Sequence, residues 1–349
     1  MVIRSENPTF IIAEAGVNHN GNPDLAMQLV DAAADSGADA VKFQTFTADR
    51  LVRRGADKAE YQKRTTGEGD QYDMLKALEM SYDLHARLVE HCARRNIEFM
   101  STAFDEEALD MLLALGIRRI KVPSGELTNS PFVAAMAAKG LPMIVSTGMA
   151  TLEEVQSAVA VISQARRTAG HAAPMAEAVT ILHCTSNYPA DPSEANLNAM
   201  LTLGRETALP YGYSDHTLGT AVSAAAVAMG ATVIEKHFTL DKTMPGPDHS
   251  ASLEFHELAE MIASIRTIEA AMGDGVKAPT TSELAVRSLV RRSVTATRAI
   301  ASGTPLTRDD VTLMRPGTGI PPAHLDRVYG RIATRDIAEG EMLDWADLA

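Results

Sequence analysis

The chain is 349 residues long, with 46% apolar and 22% charged residues and a formal charge of −13, the make-up of an ordinary globular protein with room for a large core. A surface of that sign excludes general binding to nucleic acid or to an anionic membrane, so any anionic small molecule has to meet a local basic pocket. No apolar run reaches the roughly 20 residues that cross a bilayer, and Cys92 and Cys184 stand far apart, which excludes a disulfide framework or a structural zinc site.

The first residues carry Arg4 and Glu6, and Glu14 interrupts the first apolar run, unlike a secretory leader. The expected compartment is therefore the reducing cytoplasm. From residue 9 onward, short apolar strands alternate with amphipathic stretches. Strands are expected at 9–14, 40–44, 98–102, 119–123, 142–147, 179–185, 211–214 and 232–237, and helices at 23–36, 81–95, 105–115, 131–138, 152–166, 218–229 and 254–272. Strands that read as continuous apolar runs between helices belong to a parallel sheet covered on both faces. Eight such units in about 270 residues imply an α/β fold of the (β/α)8, or TIM-barrel, type. An open doubly wound sheet would need a glycine-rich phosphate loop after the first strand, and the EAGVNH run at 14–19 offers none.

The barrel is expected to occupy residues 1–273, followed by a linker at 274–290 and a small β-rich domain at 291–349, with β-prone pieces at 293–299 and 331–334. A domain of that size has little core of its own and leans on a neighbour.

In such barrels the reactive groups sit where strands end and βα loops begin. Here those positions are polar: Glu14, Asn18 and His19; Lys42 and Gln44; Ser101 and Thr102; Lys121, Ser124 and Glu126; Ser146 and Thr147; His183, Thr185, Ser186 and Tyr188; Ser214, Asp215 and His216; Glu235, Lys236 and His237. The strand–helix–strand unit at 211–237 brings His216 and His237 to adjacent strand ends. Two imidazoles there make half a site for a divalent metal, the other positions falling to water or substrate oxygens; a histidine at a strand end can equally be a hydrogen-bonded structural residue. Lys42 and Lys121 are costly to bury without an anion. With the hydroxyls of Thr102, Ser124, Ser146 and Ser214 on the same rim, they read as a pocket for phosphate or carboxylate. Glu14 and Glu126 are expected in the mouth, as partners of sugar hydroxyls or as acid and base if burial raises their pKa, with an ion pair to a lysine as the alternative for Glu14. Asp215 and Glu235 are read as groups that support the site rather than ligate.

The ordered motifs IAEAGVNH (12–19), VKFQT (41–45), KVPSGE (121–126), STGM (146–149), YSDHT (213–217), EKHFT (235–239) and PGPDH (245–249) resemble the sialic acid synthase family, and RPGTGI (315–320) resembles its C-terminal antifreeze-like (SAF) domain. The likeness runs over essentially the whole chain. It implies a metal-dependent condensation of phosphoenolpyruvate with the open-chain aldehyde of N-acetylmannosamine or a close analogue, with C–O cleavage, giving an N-acetylneuraminate-type acid and phosphate. By motif position, the resemblance implies that His216 and His237 hold the cation, manganese first, with magnesium or cobalt as alternatives. It assigns Lys42, Thr102, Lys121, Ser124, Ser186 and Ser214 to phosphoenolpyruvate, and Glu14, Gln44, Glu126, Tyr188 and Asp248 to the sugar. Arg315 matches an arginine that enters the partner's barrel in a domain-swapped homodimer. Some bacterial members carry asparagine where this chain has the shorter donor Ser186. The wording of 235–252 looks like relatives that make legionaminic acid from a diacetamido-6-deoxy sugar. Two readings from other classes are a metal-free Schiff-base aldolase using Lys42 or Lys121, and a surface-binding tail on an inert barrel, for which 291–349 lacks a flat threonine array.

Overall fold

Eight strands, β1 (Phe10–Gly16), β2 (Ala40–Thr45), β3 (Glu98–Ala103), β4 (Ile120–Val122), β5 (Met143–Ser146), β6 (Val179–Cys184), β7 (Tyr211–Asp215) and β8 (Val233–Thr239), each pair in parallel with their sequence neighbours, and β1 also pairs with β8. The sheet therefore closes into the expected barrel. The computed structural model describes residues 8–349, and the chain divides into two units, Met1–Gly273 and Asp274–Ala349. Each expected strand is present, with bounds moved by one or two residues.

Alternation along the strands sorts side chains into two sets. Ile11, Ala13, Val41, Phe43, Val145, Ile181, Tyr213 and Ile234 face outward into the main core beneath the helices. Inside the barrel, Ile12, Ala40, Met100, Ile144, Leu182 and Val233 form an apolar floor. Two residues further along the strands stand Glu14, Lys42, Thr102, Ser146, Cys184 and Glu235, and these line a cavity together with Lys121 and Ser214. The polar layer thus lies on the C-terminal side of the apolar floor.

The helices start where their caps predict. Asn22, Ser81 and Asp105 accept backbone N–H groups at the N-termini of Pro23–Asp35, Tyr82–Arg95 and Glu106–Ala114, satisfying donors that have no partner within the helix. Several elements differ from the expectation. Helix Leu197–Thr207 was not foreseen; Gly204 lowers its helical propensity, but the ring of Tyr211 packs there, and a Cβ on Gly204 would lie 2.2 Å from Tyr211 Cδ1. The helix expected from 218 begins only at Ala221. Residues 46–80, without an assignment in the sequence, contain helices Ala48–Leu51, Glu60–Thr66 and Gln71–Lys76. A two-residue strand, β9 (Leu253–Glu254), adds beside β8.

The stretch read as a linker carries helix Thr281–Val290, started by a capping box in which Thr280 N–H donates to Glu283 and Glu283 N–H to Thr280 Oγ1. Beyond it, β10 (Ser293–Ala296) and β11 (Val311–Met314) pair antiparallel. The 331–334 piece forms no strand; it makes only single bridges, Pro305 with Ile332 and Ala333 with Leu348. A repeat explains this layout. The pattern ATRxIAxG at 296–303 recurs at 333–340, and both copies make matching contacts: Arg298 pairs with Asp310 and Arg335 with Asp347, while Thr297 and Thr334 donate to the carbonyls of those aspartates. The two copies share a core that includes Val294, Ile300, Leu306, Ile337 and Leu343.

One buried ion pair ties β7 to β8 on the outer side of the barrel. Asp215 Oδ2 lies 3.0 Å from Lys236 Nζ with both side chains fully buried, and Asp215 also accepts from Thr217 and Ser223. Removing one partner of such a pair leaves an uncompensated charge. Lys236→Ala should lower the unfolding free energy of the barrel by about 3–5 kcal/mol in urea titration; a change as small as the ~1 kcal/mol of an exposed pair would show that the two charges do not brace these strands.

Candidate active site

The mouth of the barrel holds a cavity of about 520 Å³. Its base is an ion network. Lys42 Nζ lies 2.7 Å from Glu14 Oε2 and 3.7 Å from Glu235 Oε2, and donates to Thr102 Oγ1 at 3.1 Å. Lys121 Nζ lies 3.3 Å from Glu235 Oε1 and donates to Ser146 Oγ at 2.8 Å. Ser214 donates to the same Oε1 at 2.9 Å. Register makes these contacts possible: Glu14 lies opposite Lys42, Thr102 opposite Lys121, and Ser214 opposite Glu235.

The electrostatics of the cluster are asymmetric. Burial pushes Glu14 up to about 7 in spite of Lys42, with the charge on Glu235 adding to the push. Burial also opposes the charge on Glu235, but Lys121 and Lys42 outweigh it and hold this carboxylate at about 2. Burial lowers Lys121; it works against the charge on Lys42 too, but there the adjacent Glu14 and Glu235 raise the pKa instead. One carboxylate is therefore ionised, and the other is poised near neutrality to take or release a proton.

Ser124 and Ser186 converge on Gly148 beside Cys184 of this layer. Gly148 N–H donates to Ser124 Oγ at 3.0 Å, and Ser124 Oγ lies 3.2 Å from Cys184 Sγ. A Cβ on Gly148 would stand 2.3 Å from Ser186 Oγ and 2.9 Å from Ser124 Oγ, so only glycine lets both hydroxyls close in.

His216 and His237 face each other across the rim, with ring centroids 5.5 Å apart. His216 Nδ1 lies 2.6 Å from the carbonyl oxygen of Thr185, which can only accept, so Nδ1 carries the proton and Nε2 presents a lone pair. His237 Nδ1 is buried without a hydrogen-bond partner, 3.8 Å from Asp248 Oδ2. Burial lowers both imidazoles, His237 strongly, with His216 adding to the shift. Two neutral imidazoles, one whose Nε2 meets only Ser214 Oγ at 3.4 Å and one with an orphaned nitrogen, fit a divalent cation as two of its ligands. Among the described residues, no group of three or more His, Cys, Asp or Glu side chains is gathered for a metal. Burial pushes Asp248 up to about 6. Tyr188 packs, tilted, against His216 with ring centroids 4.2 Å apart and meets Tyr61 at 5.2 Å.

Of the residues picked from the sequence, Glu14, Lys42, Gln44, Thr102, Lys121, Ser124, Ser186, Tyr188, Ser214, His216, His237 and Asp248 all line this one cavity. Glu126 does not. It sits in the one-turn helix Ser124–Glu126, and its carboxylate accepts from Asn129 Nδ2 at 2.7 Å; the turn after Pro123 aims Ser124 inward and carries Glu126 away. Arg315 belongs to the second unit, exposed just after β11. Asp215 and Lys236 face outward, as does His183, bonded to the Ala195 carbonyl. His19 is buried outside the cavity lining, with Nδ1 accepting from Gly21 N–H. Two groups were missed as cavity-lining residues. Cys184 joins the hydroxyls, and the 46–80 insertion contributes Tyr61, Gln62, Gln71 and Met74 to the wall; the length of the connection between β2 and β3 was the available signal.

A profile of the NeuB family matches residues 29–277 and one of the SAF domain matches 291–349. The N,N'-diacetyllegionaminic acid synthase of Legionella pneumophila is 50% identical over 96% of this chain and 93% of its own length. The enzyme of the same name from Campylobacter jejuni is 45% identical over 96% of this chain and 98% of its own. Among solved structures, the N-acetylneuraminic acid (sialic acid) synthetase of Leptospira borgpetersenii, crystallised with citrate, superposes with a TM-score of 0.68 at 35% identity, covering 80% of this chain and 90% of that one.

Gly148→Ala tests the hydroxyl cradle directly. The added methyl should displace Ser186 and Ser124 and weaken binding of inorganic phosphate, used as an anion probe in calorimetry, by roughly tenfold, with an unchanged melting temperature. Equal phosphate affinity in the variant would mean that these hydroxyls do not meet the anion.

Proposed function

We propose the following reaction for this chain, which belongs to the NeuB family and ends in a SAF domain: phosphoenolpyruvate is joined to the open-chain aldehyde of an N-acylated mannosamine-type sugar. The enzyme is a nonulosonic acid synthase of the sialic and legionaminic type. C3 of phosphoenolpyruvate bonds to C1 of the sugar, water adds at C2, and the C2–O bond to the phosphoryl group breaks. The products are a 2-keto acid and phosphate. The observation that carries this reading is the pair of buried lysines with their ring of hydroxyls, set in the same cavity as two neutral imidazoles.

In this proposal Lys42, Thr102, Lys121, Ser124, Ser186 and Ser214 bind phosphoenolpyruvate. The ammonium groups offset its charge inside a water-poor cavity, where such compensation is strong. Gln44, Tyr188 and Asp248 meet the sugar hydroxyls and acyl groups. Glu14 gives a proton to the aldehyde oxygen, a role that its pKa of about 7 supports; Glu126, outside the cavity lining, takes none. His216 and His237 would hold the divalent cation, manganese in this reading, which when bound supplies polarisation of the aldehyde and orientation of water. A Schiff-base route would need a free amine: Glu14 and Glu235 keep Lys42 charged, so that route would fall to Lys121, which burial lowers, and turnover that survives exhaustive chelation would favour it.

The sugar we favour is 2,4-diacetamido-2,4,6-trideoxymannose. The two synthases of that product named above support it, as does the apolar part of the cavity wall, where Val17, Met74, Leu75, Leu78 and Phe104 suit a methyl rather than a hydroxymethyl end. N-acetylmannosamine is the second reading, favoured by the likeness to the Leptospira structure. We further propose a domain-swapped homodimer in which Arg315 completes the partner's site. Helix Thr281–Val290, with no buried residue and with Leu284, Leu289 and Val290 exposed, supports such an assembly. The two unpaired, buried cysteines suit work in the cytoplasm.

Incubation with phosphoenolpyruvate and a panel of amino sugars, followed by mass detection of the keto acid, should give product with the diacetamido sugar and less with N-acetylmannosamine; no keto acid from any panel member would refute the reaction. His237→Ala, or exhaustive chelation of the wild type, should abolish metal-stimulated phosphate release, and unchanged turnover would remove the histidines from the metal. Arg315→Ala should raise the sugar KM or lower kcat without changing the melting temperature; unaltered constants would count against insertion in trans.

A further inference from the structure

Glu235 has no part in the reaction as described so far, yet it touches both lysines. We propose that Glu235 is a positioning residue that fixes the ammonium groups of Lys42 and Lys121 as a single clamp for the anionic substrate. The inference rests on the reading of that substrate as phosphoenolpyruvate.

The two carboxylate oxygens are divided between the lysines: Oε1 lies 3.3 Å from Lys121 Nζ and Oε2 lies 3.7 Å from Lys42 Nζ. Ser214, directly opposite on β7, donates to Oε1 at 2.9 Å and so sets the orientation of the group. Two lysine stems with many rotamers would otherwise turn their like charges apart in a cavity of low dielectric. An anion between them holds both pointing inward before any ligand arrives. Glu14 cannot replace it, because its ion pair reaches only Lys42.

The two contacts are unequal, and that asymmetry has a use. Lys121 is held closely and also bonded to Ser146. Lys42 is anchored by Glu14 and Thr102 and meets Oε2, which accepts no hydrogen bond, only across 3.7 Å, so this is the contact that can lengthen toward an arriving phosphate or carboxylate while Oε1 stays paired. With Oε1 taken by Lys121 and Ser214 and Oε2 facing Lys42, the proposed role of the group is exerted through the lysines. A carboxylate present only to neutralise buried charge would have the opposite effect on binding: its removal would leave the lysines more attractive to an anion.

Glu235→Gln separates these possibilities, since the amide keeps the shape and can still accept from Ser214. Binding of phosphoenolpyruvate alone should weaken roughly tenfold or more, the scale expected on losing hydrogen bonds to charged groups. The phosphoenolpyruvate KM should rise in parallel, with the sugar KM and the affinity for Mn(II) unchanged. Glu235→Asp, which keeps the charge but withdraws it by one methylene, should show a smaller rise, and it decides the matter if the glutamine variant does not fold. Binding of phosphoenolpyruvate that is unchanged or tighter in the variants, or a loss confined to Mn(II) affinity, would overturn the inference while the wild type still binds the substrate. A wild type that fails to bind phosphoenolpyruvate would overturn the functional reading, and this inference with it.

Discussion

Two ammonium groups buried inside a closed barrel constrain everything around them. Lys42 and Lys121 are almost wholly shielded from solvent, and a buried charge without compensation is far too costly for a folded chain to carry. The protein answers with Glu14, Glu235, Thr102, Ser146 and Ser214, one contribution from nearly every strand that can reach them. That network leaves a cradle whose charge is balanced internally and can be re-shared with a ligand. Its position just above the apolar floor of Ile12, Met100, Ile144 and Leu182 lets substrate approach from one side only.

The same parity that buries the lysines also divides neighbouring residues between chemistry and support. Along β8, Glu235 and His237 point inward while Lys236 between them points out. Along β7, Ser214 points inward and Asp215 outward, and the two outward residues form the ion pair that braces these strands. His216 and His237 thus stand on strand ends that are locked together from behind. The tautomer of His216 is set by the Thr185 carbonyl, which ties this imidazole to the loop after β6.

Two parts of the chain add to the barrel without belonging to its eightfold plan. The 46–80 insertion covers part of the mouth with Tyr61, Gln62 and Met74, and Tyr61 leans on Tyr188, which in turn packs against His216. Being a loop insertion and not a barrel strand, this connection shapes the wall of the mouth without taking part in the ion network of the cradle. The small second unit is built from two copies of one pattern with matching arginine–aspartate pairs, and so supplies its own core despite its size.

Much of this was legible in the residues alone. Eight apolar runs separated by helical periods identify a parallel barrel, and the strand-end positions of Lys42, Lys121, His216 and His237 mark the reactive face, because strand order and alternation are local properties of the chain. The motifs carried the family. What lay beyond the sequence depended on distance and direction. Glu126 ends the same motif as Ser124, yet one tight turn separates their directions. Glu235 reads as a neighbour of His237, and only register across β7 and β8 shows that it spans both lysines. The repeat in the second unit was available in the sequence, but its meaning appears when Asp310 and Asp347 are seen bonded alike. Local pattern determined which residues face the cavity; the contacts among them, and hence the opposite directions in which Glu14 and Glu235 are shifted, were decided by packing, since burial and neighbouring charge exist only in the folded chain.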